Sequence, residues 1–367
     1  MEEAIFYTLA LSLQKNYGTM LIKKIMDHYG SAKAFFEWAA QRGHRPSVER
    51  LPRQRPIITK EIAAVVNNEM LLMKQHNINC CLYTDEHYPQ RLRHCVDAPA
   101  FFFYKGNANA FNTGKTIALV GTRMATSYGR EAVRRVVGDC AGYDPCIVSG
   151  LAHGIDTAAH EEALEHSLPT IAVMGSGFGH IYPAGNRTLA QRITEHDGAV
   201  ISEYFYHTQP DRQNFPKRNR IIAGMADATI VVETGMRGGS VITAHIASSY
   251  NRDVFAVPGA INSDTSEGCN ELIRRNMAAL ICNGKHLVEM MGWDHETPKT
   301  VQRTLFLELS EPEQQITHLL QEKGELHIDD INGQMTNLTV SQTAGILLQL
   351  ELKGVIRCKP GKIYTLA

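Results

Sequence analysis

Five short apolar runs, at 117–120, 146–148, 170–174, 229–232 and 253–257, each break off at a glycine or small polar residue and lead into a stretch of helical spacing. Runs this short and this apolar suit strands covered on both faces, and their alternation with helices suits a parallel sheet with crossover connections. The expected fold class is therefore α/β, with a Rossmann-like doubly wound parallel sheet over 81–295. A chain of 367 residues exceeds one ordinary core, so flanking domains are also expected.

Ahead of the sheet, Leu21, Ile22, Ile25, Met26 and Tyr29, then Ala34, Phe35 and Trp38, recur at helical spacing. Residues 1–80 read as a small helical domain of SAM or helix-hairpin-helix type, because Tyr17-Gly18 and Tyr29-Gly30-Ser31 bracket one helix. Both DNA contact by that hairpin and plain packing on the next domain fit the pattern. The span 296–309, with Pro298 and Lys299, reads as a linker. Ser310-Glu311-Pro312-Glu313 is a capping-box sequence that opens a new helix. Helices at 311–322, 328–335 and 339–353, followed by a ribbon around Lys359-Pro360-Gly361-Lys362, make 310–367 a winged helix.

Loops at the carboxyl ends of parallel strands carry the ligands of such sheets. In the first, running from Val120 to Gly129, Gly121 allows close backbone approach, Arg123 can hold a phosphate through two parallel hydrogen bonds, and Thr122 and Ser127 add hydroxyls. Without G-x-G-x-x-G, a dinucleotide has little support. The second loop, Ser149 to Asp156, contains Gly150 and opens a helix near Thr157. Asp156 reads as a cap or a structural acceptor there, and His153 and His160 as solvated or hydrogen-bonded side chains rather than bases or metal ligands. The third, Gly175-Ser176-Gly177-Phe178-Gly179, places Gly175 and Gly177 for phosphate approach.

The fourth segment, Asn214 to Gly224, follows Arg212. From Arg212 to Arg220 it holds four cations, Arg212, Lys217, Arg218 and Arg220, with Phe215 and Asn219 among them and no carboxylate. A base can stack on an aromatic ring while cations follow the backbone of a single strand. The fifth loop, Glu233 to Ser240, offers Gly239 and Ser240 at a helix N-terminus. Glu233, at the strand end, is the carboxylate to test for catalysis.

The formal net charge of −1 means that attraction to phosphate has to be local. Eight cysteines without a C-x-x-C fit neither a disulfide scaffold nor a zinc site, so no metal and no cofactor are expected. No apolar run reaches membrane-spanning length, and the acidic start Met1-Glu2-Glu3 is unlike a secretion signal. A cytoplasmic location without membrane partners is expected.

VGTR, SGLAHGID, GSGFGHIYP with the following Asn186, NFPKRNRIIAG and VVET…GGSVITA together resemble the DNA-processing protein A (Smf) family, in its order and across nearly the whole α/β region. The flanking helical region and the winged helix agree with its layout. The resemblance implies a bacterial protein, not an enzyme, that binds incoming single-stranded DNA in natural transformation. It also implies a homodimer through the α/β domain and a RecA-type recombinase, loaded onto the strand, as partner. Its DNA pocket would use Arg123, Phe215, Lys217, Arg218 and Arg220. Thr122 stands where serine is common, Gly179 where aspartate is common, and Asn276-Met277 where Gly-Ala is common.

Two readings of other classes stay open. A nucleotide phosphoribohydrolase on a related fold would carry P-G-G-x-G-T-x-x-E, whereas the local match has Arg237 for its proline and Ala244 for its glutamate, which leaves no evident acid or base. A duplex-DNA regulator would read bases through 339–353, which has no arginine and a lysine only at Lys353; Gln342 and Gln349 alone are poor readers.

Overall fold

The computed structural model describes residues 2–41, 56–295, 309–335 and 337–366. Apart from Leu309, the expected linker lies outside the described residues. Helices α1 (Glu2–Ser12), α2 (Thr19–Tyr29), α3 (Ala32–Ala40) and α4 (Lys60–Gln75) bury Leu9, Ile25, Phe35 and Val66 against one another. The Tyr17 and Tyr29 rings turn inward onto Phe35, and Lys23 is buried with its Nζ donating to the Cys95 carbonyl at 2.9 Å. Packing therefore accounts for the hairpin-like pattern.

The helical domain expected over residues 1–80 gives way at its end to β1 (Asn79–Leu82). After the short α5 (Gln90–Arg93) comes β2 (Phe101–Gly106), antiparallel to β1. Period-two alternation explains the three phenylalanines: Phe101 and Phe103 enter the N-terminal core, while Phe102 faces the core of the main sheet.

The main unit continues through β3 (Thr116–Val120), α6 (Ser127–Cys140), β4 (Cys146–Ser149), α7 (Ile155–Glu165), β5 (Thr170–Met174), α8 (Arg187–Glu195), β6 (Ala199–Ser202), α9 (Asn214–Met225), β7 (Ala228–Val231), α10 (Gly239–Ser249), β8 (Asp253–Ala256), α11 (Glu267–Arg274), β9 (Ala279–Leu280) and α12 (Gly284–Met290). The sheet order is β1-β2-β6-β5-β4-β3-β7-β8-β9. From β6 to β9 in that order all strands are parallel, and β2 joins β6 antiparallel. Ala118, Val120 and Val148 pack under Ile221, Ile222 and Ala244 on one face, while Ile117, Leu119 and Ile147 pack under Val133, Val136 and Ala159 on the other. The sheet is thus covered on both sides, as its apolar runs require.

Successive strands step outward from β3 to β6. Helix α9 then carries the chain back across the sheet, so that β7 pairs with the other side of β3. This reversal opens a crevice beyond the carboxyl ends of β3 and β7, where doubly wound sheets hold ligands.

The segment leading into α9 is held by the N-terminal helices. Glu69 of α4 accepts the Tyr206 N–H at 2.7 Å, and the Tyr206 ring stacks on His76 with centroids 4.8 Å apart. Burial raises the Glu69 carboxyl from 4.5 to about 7, outweighing the hydrogen bond from Tyr206. A folded-state pKa above the ordinary one means that the associated stability is complete below about pH 4.5 and is lost as pH rises through about 7. Glu69→Gln keeps an acceptor for Tyr206, so its melting temperature should fall less than that of the wild type between pH 5 and pH 8. Parallel pH profiles in thermal melts would refute this.

The C-terminal unit comprises α13 (Glu311–Lys323), β10 (Leu326–His327), α14 (Ile328–Gln334), α15 (Val340–Leu352), β11 (Ile356–Lys359) and β12 (Ile363–Leu366), with sheet order β10-β12-β11. The Glu313 carboxylate accepts the Ser310 N–H at 2.8 Å, which closes the expected capping box. Three helices and a β-ribbon in this order form a winged helix. On α15, Val340, Leu348 and Leu352 are exposed, and Lys353 is engaged with Glu313 at 2.6 Å. No described helix is long and apolar enough to cross a membrane.

Candidate nucleic-acid interface

The crevice at the reversal point is a cleft of about 260 Å³, built by four loop-to-helix transitions. The β3–α6 loop contributes Gly121, Thr122 and Arg123, the β4–α7 loop Ala152 and Asp156, and the first turns of α9 Phe215, Pro216, Arg218 and Asn219. The β7–α10 connection closes it with Thr234, Gly235, Gly238, Gly239, Ser240 and Thr243. The rim is cross-linked: Thr122 N–H donates to the Glu233 carbonyl at 2.7 Å, and Ile155 N–H to the Thr122 carbonyl at 3.1 Å. Only glycine fits at 121, because a Cβ there would stand 2.4 Å from Ile155 Cγ1.

The inner end of the cleft is the N-terminus of α10. Gly238 supplies no side-chain cap, so the first amides of the helix remain directed outward, a geometry that favours anions. Ser240 lines the cleft, and its buried Oγ has no hydrogen-bond partner among the described residues. At the mouth, Arg123 is exposed, and its guanidinium carbon lies 4.9 Å from the centre of the Phe215 ring.

The structure thus brings together Gly121, Thr122, Arg123, Phe215, Arg218, Asn219, Gly239 and Ser240. Gly150 lines a small crevice next to the cleft, and Gly175 lies behind the Phe215 ring. Lys217 is exposed on α9, and Ser127 is exposed at the start of α6; neither lines the cleft. Gly177 packs against the carbonyls of Phe205 and Tyr206 instead.

Two arginines require correction. Arg220, expected in the pocket, is bound to the Glu203 carboxylate and the Asp97 carbonyl, outside the cleft lining. Arg218 does reach the cleft but is only 4% exposed. It donates to the carbonyls of Gly150 and Val173, and burial pulls its guanidinium down to about 10. Arg218 is thus part of the wall rather than a free phosphate hook. Asp156 lies in the same buried layer: burial raises its carboxyl, opposed by Arg218 and by the Ala152 N–H. Its structural reading fits that position.

Glu233 is committed elsewhere. Its carboxylate accepts the Thr126 N–H at 2.9 Å and the Thr126 hydroxyl at 2.6 Å, tying the start of α6 to the end of β7. Glu233→Ala is expected to cost about 2–3 kcal/mol by leaving these donors unpaired over a void. Denaturant unfolding measures this, and a loss under about 0.5 kcal/mol, typical of unconstrained surface positions, would contradict the assigned role. His160 is also structural: it is buried, with Nδ1 2.7 Å from Thr170 Oγ1, and burial lowers its pKa to about 3. His153 is exposed beside the small crevice.

The site also includes Thr234, Thr243 and, beyond Phe215, Tyr182, none of which was singled out from the sequence. Thr243 follows Gly239 at i+4, so it shares that helix face, and the aromatic in His180-Ile181-Tyr182-Pro183 marked a ring held in a loop.

A family model described as DNA recombination-mediator protein A matches residues 79–292, and one described as the DprA winged helix domain matches 306–362. The DNA processing protein DprA of Streptococcus pneumoniae is 43% identical over 204 residues, covering 56% of this chain and 71% of that protein. Protein Smf of Escherichia coli is 33% identical over 303 residues, covering 81% of this chain and 79% of its own. In structure, the chain is similar to DNA processing protein A of S. pneumoniae, with TM-score 0.64 and 33% identity over 77% of this chain and 95% of that one. It is also similar to DNA processing protein A of Helicobacter pylori, a structure described for its single-stranded DNA binding mode, with TM-score 0.53 and 28% identity over 59% of this chain and 96% of that one. With a fold, a cleft and a winged helix that agree with these matches, the chain belongs to the DNA recombination-mediator protein A family.

Proposed function

We propose that the cleft binds the backbone of single-stranded DNA in the cytoplasm, without catalysing a reaction on it. The observation that carries this is the arrangement of Arg123 at the mouth and the α10 N-terminus with Ser240 at the inner end, which gives a phosphate two donors of different kinds. Lys217, exposed on α9, serves the strand outside the cleft. Relatives described as DNA processing proteins, one of them for its single-stranded DNA binding, support this reading. By extension, a homodimer formed through the α/β unit delivers the strand to a RecA-type recombinase in natural transformation.

The hydrolase alternative finds no acid in the expected place, since Ala244 is buried in the sheet core and the Glu233 carboxylate is bound to Thr126, the N-cap of α6. The duplex alternative meets an α15 whose exposed side chains include Val340, Leu348 and Leu352.

Each phosphate neutralised on a single strand contributes about −0.7 to the slope of log affinity against log salt. Titration of the wild type with an oligothymidylate should therefore give a slope steeper than about −1.4, equivalent to two or more phosphates. A flat salt dependence would rule out backbone recognition.

A further inference from the structure

The cleft continues past Phe215 into a crevice formed by Arg123, Gly150, His153, Tyr182 and Pro183. The Phe215 ring, the evident platform for a nucleobase in the sequence, is already occupied: Arg123 and Arg218 lie 4.9 and 6.0 Å from its centre, and Gly175 backs it. Tyr182 is different. Its ring centre is 5.7 Å from that of Phe215 with the planes inclined at 46°, yet the residue is 44% exposed. Its loop is anchored, because Asn186 Nδ2 donates to the Leu151 carbonyl at 2.8 Å and to Thr157 Oγ1 at 2.9 Å, and Pro183 is buried. An anchored aromatic beside a cationic cleft offers an open π-face at little entropic cost, which suits a base of any identity.

We propose that Tyr182 is the stacking platform for the nucleobase next to the phosphate held in the cleft, with Phe215 acting as the post that supports Arg123. This rests on the single-strand reading above. Stacking needs the ring but not the hydroxyl, so the site takes bases without sequence preference.

The test uses the full chain with a fluorescent oligothymidylate and with an abasic strand of equal length. Tyr182→Ala should bind the base-bearing strand about tenfold more weakly than the wild type, Tyr182→Phe should match the wild type, and both variants should bind the abasic strand as the wild type does. Unchanged affinity of Tyr182→Ala for the base-bearing strand would overturn the proposal. So would an equal loss on both strands, which would mean backbone contact or damage to the loop, and so would a loss in Tyr182→Phe. Failure of the underlying reading shows itself separately, as a wild type that binds neither strand.

Discussion

Arg123→Ala is expected to weaken single-strand binding by about tenfold to a hundredfold while leaving stability nearly unchanged. A hydrogen bond to a charged group is worth about 1.5–3 kcal/mol, and each 1.4 kcal/mol is about tenfold in affinity. The side chain is exposed and its guanidinium rests on the Phe215 ring rather than on a carboxylate, so its donors remain directed at the cleft. Loss of the charge should also reduce the salt slope by about 0.7. Arg123→Lys should recover the slope but only part of the affinity, since an ammonium neither grips two oxygens in parallel nor lies flat on an aromatic ring as well. Binding isotherms at several salt concentrations measure both quantities, and an Arg123→Ala curve that overlays the wild type would exclude this residue from the site.

Arg218→Ala, one position along from Lys217, is expected to act mainly on folding, at a cost of about 3–5 kcal/mol. Its guanidinium is buried, donates to two backbone carbonyls, and is the favourable charge beside the buried Asp156. Truncation leaves two carbonyls and a carboxylate without it in a buried layer. Arg218→Met combined with Asp156→Asn should regain part of the loss, because both charges go together. Lys217→Ala, in contrast, should change stability by less than about 0.5 kcal/mol and affect only DNA affinity. Denaturant unfolding of the three variants separates these outcomes, and equal stability of Arg218→Ala and Lys217→Ala would contradict the buried role.

The sheet was readable in the sequence because strands buried on both faces leave continuous apolar runs. Strand β6 was not read, although Ala199–Ser202 carries the same signal as Cys146–Ser149 of β4, a short apolar run closed by a serine. β1 and β2 were missed because their cysteines and phenylalanines continue the apolar texture of the helices before them, and only the opposite facing of Phe102 and its neighbours reveals a strand. The loops of the site were readable from glycines before helix starts. The division of labour within α9 was not read from charge counting, although a signal was present: Arg218, Ile221, Ile222 and Met225 fall at i, i+3, i+4 and i+7, which places Arg218 on the buried stripe. Arg220 depends on Glu203 and Asp97, partners distant in sequence that no local pattern discloses.

The central claim is that this cleft holds one unpaired strand, and competition binding tests it most directly. A labelled oligothymidylate bound to the wild type is challenged with unlabelled single strand or with duplex of the same length, and the series is repeated with Arg123→Ala. The account predicts displacement by the single strand at a concentration at least about tenfold below that needed for duplex, with the difference largely lost in the variant. Equal displacement by both competitors, or a preference that survives Arg123→Ala intact, would contradict it.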